Sequence, residues 1–297
     1  MNKWLLMLLM LLWTSVGVAI FGFQAAQEPR GNGLPSQANR IVSTAPSLTE
    51  ILFALGLGER IVAVSNDSDH PPEAAEKKKV GTFWQPSIEA VIAAKPELVI
   101  TLGFEQQRNL AERLKRIGYS SLTLNIEKIS GLFEAIESIG AATGRQAQAE
   151  ALVSDIRKKL NNLSSLVGAE RKVRVLWVVQ REPLRVAGRD TFINEMIEIA
   201  GGENAIGPTL HKYPPIGAEQ VIVSGAEVII EPAMWQEDLA GQKEAAVKYW
   251  SKFKNVPAVK EKQVYVIDGD AVSRLGPRVY EGTEAIARCL RPELFAK

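Results

Sequence analysis

Two loops that lie 130 positions apart carry aromatic and acidic side chains in a similar order. Phe83 and Trp84 precede Glu89, and Tyr213 precedes Glu219. An aromatic side chain buries about 150 to 250 Å², so such residues on facing loops can grip a flat or apolar solute. The alternative is that they pack in the core. Because they recur in loops between a strand and a helix, we favour solute contact, with Phe83 and Tyr213 as the first candidates and Trp84 beside them.

The two glutamates of these segments suggest a second kind of contact. Each stands in the first turn of a predicted helix, where the helix dipole favours a carboxylate even without a partner. The repeat places one glutamate on each half of the chain, so the pair could engage two basic pockets on a two-fold symmetric partner. We therefore predict that Glu89 and Glu219 are docking residues.

Motifs for catalysis or metal binding do not occur in the sequence. It has no Gly-x-Ser-x-Gly, His-Glu-x-x-His or phosphate-loop motif, and its two histidines, His70 and His211, are far apart. The only cysteine is Cys289, so neither a disulfide nor a cysteine cluster can form within the chain. Gly56-Leu57-Gly58 follows a predicted helix rather than a strand, which speaks against nucleotide binding. We predict a protein that is not an enzyme, with no catalytic residue, metal site or cofactor, although catalysis by carboxylates alone stays open.

The overall charge excludes one class of partner. The chain has 35 basic and 34 acidic side chains, a formal net charge of +1. No general field therefore attracts nucleic acid. Recognition has to come from local groups, and we expect a small-molecule solute as ligand and a monomeric chain.

The N-terminal segment has the features of an export signal. Lys3 is followed by a run without ionisable side chains from Trp4 to Phe23. Gln24-Ala25-Ala26 offers a cleavage site, and the run is also long enough, at about 1.5 Å per residue, to serve as an uncleaved anchor. We expect an extracytoplasmic, periplasmic location, with residues 1–26 as signal or anchor and 27–39 as a flexible tether. Without an N-terminal cysteine we do not expect a lipoprotein.

From residue 40 onward, short β-rich runs alternate with helical patterns, which predicts an α/β fold. The first helix is expected to start with a capping box of Ser47 and Glu50 and to stop at Gly56. The segment Glu50–Gly56 is similar to Glu195–Gly201, a second sign of an internal repeat. Two related halves predict two similar lobes with a cleft between them, each with a central, mostly parallel sheet flanked by helices.

One long helix is predicted between the lobes. Apolar residues recur every three or four positions there, at Leu152, Ile156, Leu160, Leu163 and Val167. Such a helix would be about 35 Å long and could join two lobes. The predicted organisation is an N-terminal lobe at 40–142, an interdomain helix at 143–168 and a C-terminal lobe at 169–297.

Several segments together resemble the helical-backbone class of periplasmic substrate-binding proteins of ABC importers, and the cobalamin-binding members most of all. The matching segments are 40–50, 68–72, 95–100, 194–204 and 276–278. The resemblance implies two lobes on one rigid interdomain helix, a ligand held between them with little hinge closure, and delivery to a permease dimer in the membrane. It also implies that Glu89 and Glu219 engage arginines of that dimer.

The resemblance further implies ligand contacts at Phe83, Tyr213, Asp270 and Arg274. Asp67 stands where an aromatic residue is common in cobalamin binders, and it is kept as a ligand contact.

Leu102 also stands at an aromatic position, although Trp84 and Phe104 are close by, and Phe104 is a further expected contact. Ferric-siderophore and haem binders share the scaffold, and haem iron could be ligated by Tyr213 or His211. Cobalamin or another corrinoid is the expected ligand, with a ferric siderophore or haem as the alternative. A membrane-tethered sensor or interaction domain without a transport role is a third possibility.

Overall fold

The protein is described here by a computed structural model, which covers residues 37–168, 171–233 and 238–296. The predicted signal or anchor, and all of the predicted tether before residue 37, lie outside the described residues. Within the described part of the chain, no helix is both long and apolar enough to cross a membrane.

The first lobe is built on a five-stranded parallel sheet. Its strands are β1 (Ile41–Ser43), β2 (Ile61–Val64), β3 (Lys78–Lys79), β4 (Leu98–Leu102) and β5 (Ser121–Leu124). Their order is β3-β2-β1-β4-β5. The central strands β1 and β4 are short apolar runs buried on both faces, as expected for a parallel sheet that helices cover on both sides.

Five helices belong to the first lobe, and a sixth leads out of it. They are α1 (Pro46–Ala54), α2 (Pro72–Ala75), α3 (Ile88–Ala93), α4 (Glu105–Arg116), α5 (Ile129–Thr143) and α6 (Gln146–Val167). A single-turn 3-10 helix at Gly58–Arg60 precedes β2.

The second lobe has a mixed sheet with a similar parallel centre. Its strands are β6 (Val173–Arg181), β7 (Leu184–Val186), β8 (Gly202–Asn204), β9 (Val228–Pro232) and β10 (Val264–Ile267). The order is β10-β9-β6-β7, with β8 also paired to β6, and only β7 runs antiparallel. The helices are α7 (Phe192–Ile199), α8 (Ala218–Val223), α9 (Leu239–Trp250), α10 (Pro257–Lys260), α11 (Gly269–Ser273) and α12 (Val279–Leu290). A 3-10 turn at Pro292–Leu294 follows.

The internal repeat is present in the structure at the predicted shift. Helix α8 begins and ends 130 positions after α3, and strand β9 begins and ends 130 positions after β4. Both pairs also have the same position in their sheets, since β4 and β9 are each the parallel neighbour of the first strand of their lobe. The predicted α/β class with two similar lobes is confirmed.

The long helix α6 connects the lobes and packs on both. It has 22 residues, about 33 Å at 1.5 Å per residue. It contacts α5 in the first lobe and α7 and α12 in the second. Its buried side chains belong to one hydrophobic cluster that also contains core residues of both lobes, such as Ile41 and Val175. The lobes therefore share a core.

One expectation about a helix was wrong, and one helix was not predicted at all. The predicted capping box does not form, because α1 begins at Pro46; this places Ser47 inside the first turn, and the cap residue Ala45 has no side-chain hydrogen bond. The Glu50 carboxylate is used elsewhere, as described below. Helix α5, of 15 residues, was not predicted. Its sequence contains Gly131 and Gly140, which weaken a helical pattern. The predicted stop at Gly56 is confirmed by its left-handed backbone, with φ of 71°.

Candidate functional site

A cavity of about 450 Å³ lies between the lobes, with walls from both. The first lobe contributes Pro46, Ser47, Asp67, Thr82, Phe83, Trp84, Leu102 and Ile126, and the second contributes Phe192, Ser273, Arg274 and Leu275. Most of the first-lobe residues follow or end parallel strands: Pro46 comes after β1, Asp67 after β2, Leu102 ends β4 and Ile126 comes after β5. The carboxyl ends of parallel strands are the usual place of ligand sites in such sheets.

An aromatic cluster stands at one wall of this cavity, with Phe83 and Trp84 in the lining and Phe104 packed on both. The ring centroid of Phe83 lies 4.8 Å from that of Trp84 and 5.1 Å from that of Phe104, and the Trp84 and Phe104 centroids are 5.4 Å apart. Phe83 packs against the main hydrophobic cluster, whereas Trp84 is 63% exposed. An indole left this open beside a cavity provides an apolar surface for a ligand.

The loop that carries these aromatics is fixed by a buried side chain, Gln107. Its Nε2 donates to the backbone oxygens of Phe83, at 2.9 Å, and Thr44, at 3.0 Å, while its Oε1 accepts from the amide of Leu102 at 2.7 Å. Gln107 is fully buried. A buried amide satisfied in this way holds the loop, the β4 end and the β1 end together. In the sequence, Gln107 is one of several polar residues on α4, so the sequence does not predict this structural role.

Phe192 is a cavity residue that the prediction omitted. It is the first residue of α7, and the shift that places Glu195–Gly201 on Glu50–Gly56 also places Phe192 on Ser47. Both residues line the cavity. The similarity of Glu195–Gly201 to Glu50–Gly56, extended by three residues, could therefore have predicted Phe192 as a cavity residue.

Tyr213 and Asp270, two of the expected ligand contacts, lie outside the cavity lining. Tyr213 is partly buried against the main core, its backbone oxygen accepts from Arg185 at 3.2 Å, and burial, helped by the charge of Glu127, raises the pKa of its phenol. Asp270 is engaged by two arginines, described next. The structure thus places Asp67, Phe83, Trp84 and Arg274 in the cavity lining. Phe104 packs on Phe83 and Trp84 but, like Tyr213 and Asp270, is not itself a lining residue. Their contact with a ligand stays a prediction.

A chain of five alternating charges crosses the lobe interface next to the cavity. Arg278 donates to Glu50 at 2.6 and 2.9 Å and to Asp270 at 2.7 Å; Arg274 in turn pairs with Asp270 at 2.9 Å and with Asp69. Glu50 and Asp69 belong to the first lobe and the other three residues to the second. The chain therefore ties the lobes together and fixes the Arg274 guanidinium at the cavity wall.

The pKa values of these groups reflect their pairing. The hydrogen bond from Arg274 holds the pKa of the Asp69 carboxyl below its usual value, against the opposing effect of burial. Burial disfavours the charged forms of Arg274 and Arg278, but the bonds and charges of their carboxylate partners outweigh it, so both pKa values are raised. Asp69, Arg274 and Arg278 are therefore all charged near neutral pH.

Further contacts join the lobes around this chain. The Glu195 carboxylate of the second lobe accepts from the Ile129 amide of the first at 2.8 Å and so caps α5, whose own cap residue, Lys128, makes no side-chain bond to the helix backbone. Two exposed ion pairs also link the lobes, Lys128–Asp190 at 2.8 Å and Lys212–Glu127 at 2.6 Å.

The two predicted docking glutamates are both exposed and occupy matched positions. Each is the second residue of a six-residue helix, Glu89 in α3 and Glu219 in α8. Glu89 accepts from the Ser87 hydroxyl at 2.9 Å. Its pKa is lowered by a hydrogen bond from its own backbone amide and by that from Ser87. Both side chains are accessible to a partner surface, and their docking role stays a prediction.

The described residues contain no cluster of three or more His, Cys, Asp or Glu side chains suited to a metal ion. Cys289 is buried in α12, and burial raises the pKa of its thiol to about 12. A thiol with so high a pKa is a weak nucleophile.

Comparisons with known proteins agree with this architecture. Residues 41–271 match the family model described as "Periplasmic binding protein", which is more than half of the chain. The chain therefore belongs to the periplasmic binding protein family, a family of transport substrate-binding proteins.

Three known proteins show the range of relatives. An uncharacterized ABC transporter substrate-binding lipoprotein of Bacillus subtilis is 30% identical over 269 residues, covering 88% of this chain and 83% of its own. A vitamin B12-binding protein of Vibrio parahaemolyticus is 30% identical over 243 residues, covering 80% and 84%. A solved periplasmic heme-binding protein from Pseudomonas aeruginosa has a TM-score of 0.76 and 25% identity, covering 86% of this chain and 93% of its own. All three are thus named as binding proteins, and the two names that give a ligand give different ones, vitamin B12 and heme.

Proposed function

We propose that this chain captures a bulky solute in the cavity between its lobes and delivers it to the permease dimer of an ABC importer. The observation that carries the proposal is the aromatic-walled cavity of about 450 Å³ at the carboxyl ends of the first-lobe strands. A mostly apolar cavity with a few fixed polar groups is the common form of a small-molecule site. Family membership supports the transport role.

Cobalamin or another corrinoid is the first candidate for the solute. A relative named as a vitamin B12-binding protein supports this choice. Haem is the alternative, supported by the similar fold of a heme-binding protein, and a ferric siderophore remains in the same class. Phe83 and Trp84 would supply apolar contact with a flat face, while Asp67 and Arg274 would meet polar edges.

Delivery would use Glu89 and Glu219, one exposed carboxylate on each lobe. Charge complementarity of this kind orients a partner and speeds its encounter. We propose that the protein acts after export, with its N-terminal segment as signal or anchor. The Bacillus relative is called a lipoprotein, but the sequence here has no cysteine other than Cys289, so we propose no lipid anchor.

The proposal is tested by titrating the exported full chain with cyanocobalamin, haem and a ferric hydroxamate, followed by tryptophan fluorescence and calorimetry. Micromolar or tighter binding of one solute is expected. Uptake is then measured in cells that carry the cognate permease, with the double variant Glu89→Arg and Glu219→Arg. Unchanged affinity with abolished uptake supports delivery through these residues. Full uptake by the double variant would rule out the docking role, and no binding of any solute would rule out the capture role.

A further inference from the structure

The charged groups of the cavity indicate which solutes it rejects. Among its lining residues only Asp67 and Arg274 are ionisable. Arg274 already pairs with two carboxylates, Asp69 and Asp270. Its positive charge is therefore largely compensated before any solute binds. Asp67, in contrast, forms none of the ion pairs among the described residues.

The surroundings add further negative charge. The interlobe chain from Glu50 to Asp69 contains three carboxylates and two guanidinium groups, which leaves one net negative charge. Lys79 contributes a positive charge near Asp67 and Asp69, and its Nζ donates to the backbone oxygens of Ser68, at 2.8 Å, and Ala74, at 3.3 Å. Together with Asp67, this set still carries one net negative charge. The ion pairs on the Ile126 side of the cavity, Lys212–Glu127 and Lys128–Asp190, are each neutral.

Asp67 is held where a solute would meet it. One of its carboxylate oxygens accepts from the Phe83 amide at 2.7 Å, which fixes the carboxylate next to the aromatic wall. A carboxylate has about four acceptor positions, so one hydrogen bond leaves capacity for donors on a ligand. The faces of Phe83 and Trp84 carry the negative side of the ring quadrupole and favour positive groups as well.

From these contacts we infer that Asp67 is a specificity-determining residue that makes the cavity select neutral or cationic solutes with hydrogen-bond donors at their rim. An anionic solute would place its charge beside Asp67 without a free cation to compensate it. Exclusion by an unfavourable contact is an established way to discriminate between otherwise similar ligands. This inference rests on the proposed function and narrows its candidates. Amide-rimmed corrinoids and cationic ferric hydroxamates fit the site, whereas haem, with two carboxylates, and anionic ferric catecholates do not.

The test uses two pairs of solutes that differ in charge, and the members of the first pair have nearly the same shape. Cyanocobalamin is compared with its monocarboxylic acid, in which one side-chain amide is hydrolysed, and a cationic ferric hydroxamate is compared with an anionic ferric catecholate. Affinities of the exported full chain are measured by calorimetry at neutral pH, in low and high salt. We expect the more anionic member of a pair to bind roughly tenfold more weakly, a difference that shrinks in high salt.

The variant Asp67→Asn tests the contribution of the Asp67 charge apart from that of the other cavity residues. Its side-chain oxygen can still accept from the Phe83 amide, so the loop is kept while the charge is lost. We expect the discrimination to fall to about threefold or less, since the local charge then becomes neutral. Asp155→Asn is the matched control, because Asp155 is exposed on α6 and pairs with Lys159. It should leave the discrimination unchanged.

The outcomes are distinguishable. Tighter binding of the anionic solutes by the wild-type chain would overturn the inference and leave solute capture intact. Equal discrimination in wild-type and Asp67→Asn proteins would overturn the role of Asp67. No binding of these four solutes or of haem would overturn solute capture and this inference with it. Binding of haem alone would overturn this inference and leave solute capture intact.

Discussion

Glu50 and Glu195 occupy equivalent positions in the internal repeat, and each carboxylate reaches into the opposite lobe. Glu50 accepts from Arg278 at 2.6 and 2.9 Å, and Glu195 accepts from the Ile129 amide at 2.8 Å. The repeat thus supplies one interlobe contact in each direction. Together with the shared hydrophobic core, these contacts fix the relative position of the lobes and the shape of the cavity between them.

The first prediction concerns the Glu50–Arg278 pair. Glu50→Ala should lower the free energy of unfolding by roughly 3 kcal/mol, because it leaves the half-buried Arg278 guanidinium with only Asp270 as a carboxylate partner. The measurement is urea-induced unfolding monitored by circular dichroism. Glu59→Ala, at an exposed position, is the control and should change stability by less than about 0.5 kcal/mol. Equal effects of the two substitutions would contradict a structural role for the pair.

The second prediction concerns Gln107. Gln107→Leu should destabilise the protein by roughly 2 kcal/mol or more, because the buried backbone groups that it serves lose their partner. The aromatic loop should also loosen, so that iodide quenches Trp84 fluorescence more efficiently and solute affinity falls. Gln106→Leu, on the exposed side of the same helix, is the control. If Gln107→Leu changed stability no more than Gln106→Leu does, the loop would not depend on this amide.

The third prediction is a pH dependence of stability. The folded-state pKa of Asp69 lies below its unfolded value, so its contribution to stability is present above about pH 4 and is lost as pH falls through the folded pKa. Asp69 is largely exposed, so screening keeps this contribution to a few tenths of a kcal/mol. Asp69→Asn should therefore reduce the acid-side slope of the unfolding free energy below about pH 4. A slope identical to that of the wild-type chain would show that the pair with Arg274 is not formed in solution.

The fourth prediction compares two aromatic residues. Trp84→Ala should weaken solute binding by roughly 2 kcal/mol with little loss of stability, because the indole is 63% exposed in the free protein. Tyr213→Ala should mainly lower stability, since this side chain packs on the core outside the cavity. Calorimetric titration and thermal unfolding of both variants give the comparison. The reverse pattern would mean that the ligand sits nearer to Tyr213.

Sequence patterns predicted many of the helices and strands, because these patterns are formed by residues that lie close together in the sequence. Strands such as β4 and β9 are short apolar runs, α6 has a regular apolar stripe, and the repeat fixed the relation between α3 and α8. Helix α5 was missed because its two glycines and scattered polar residues obscure the helical pattern.

The parts of the site that escaped prediction depend on distant contacts. Glu50 fits a local capping box, but its partner Arg278 is 228 residues away, and the fold rather than the local sequence decides where its carboxylate points. Gln107 likewise acquires its role from strand ends and a loop that are brought together only in the folded protein. Phe83 and Trp84 could be predicted from the sequence because they lie in the segment that is repeated 130 residues later.

The most direct test of solute capture is the crystal structure of the exported chain with the solute that binds most tightly. We predict electron density for the solute between the lobes, in contact with the Phe83 and Trp84 rings and within hydrogen-bond distance of Asp67, and lobes in the same relative orientation as in the free protein. A solute bound away from this cavity would contradict the account.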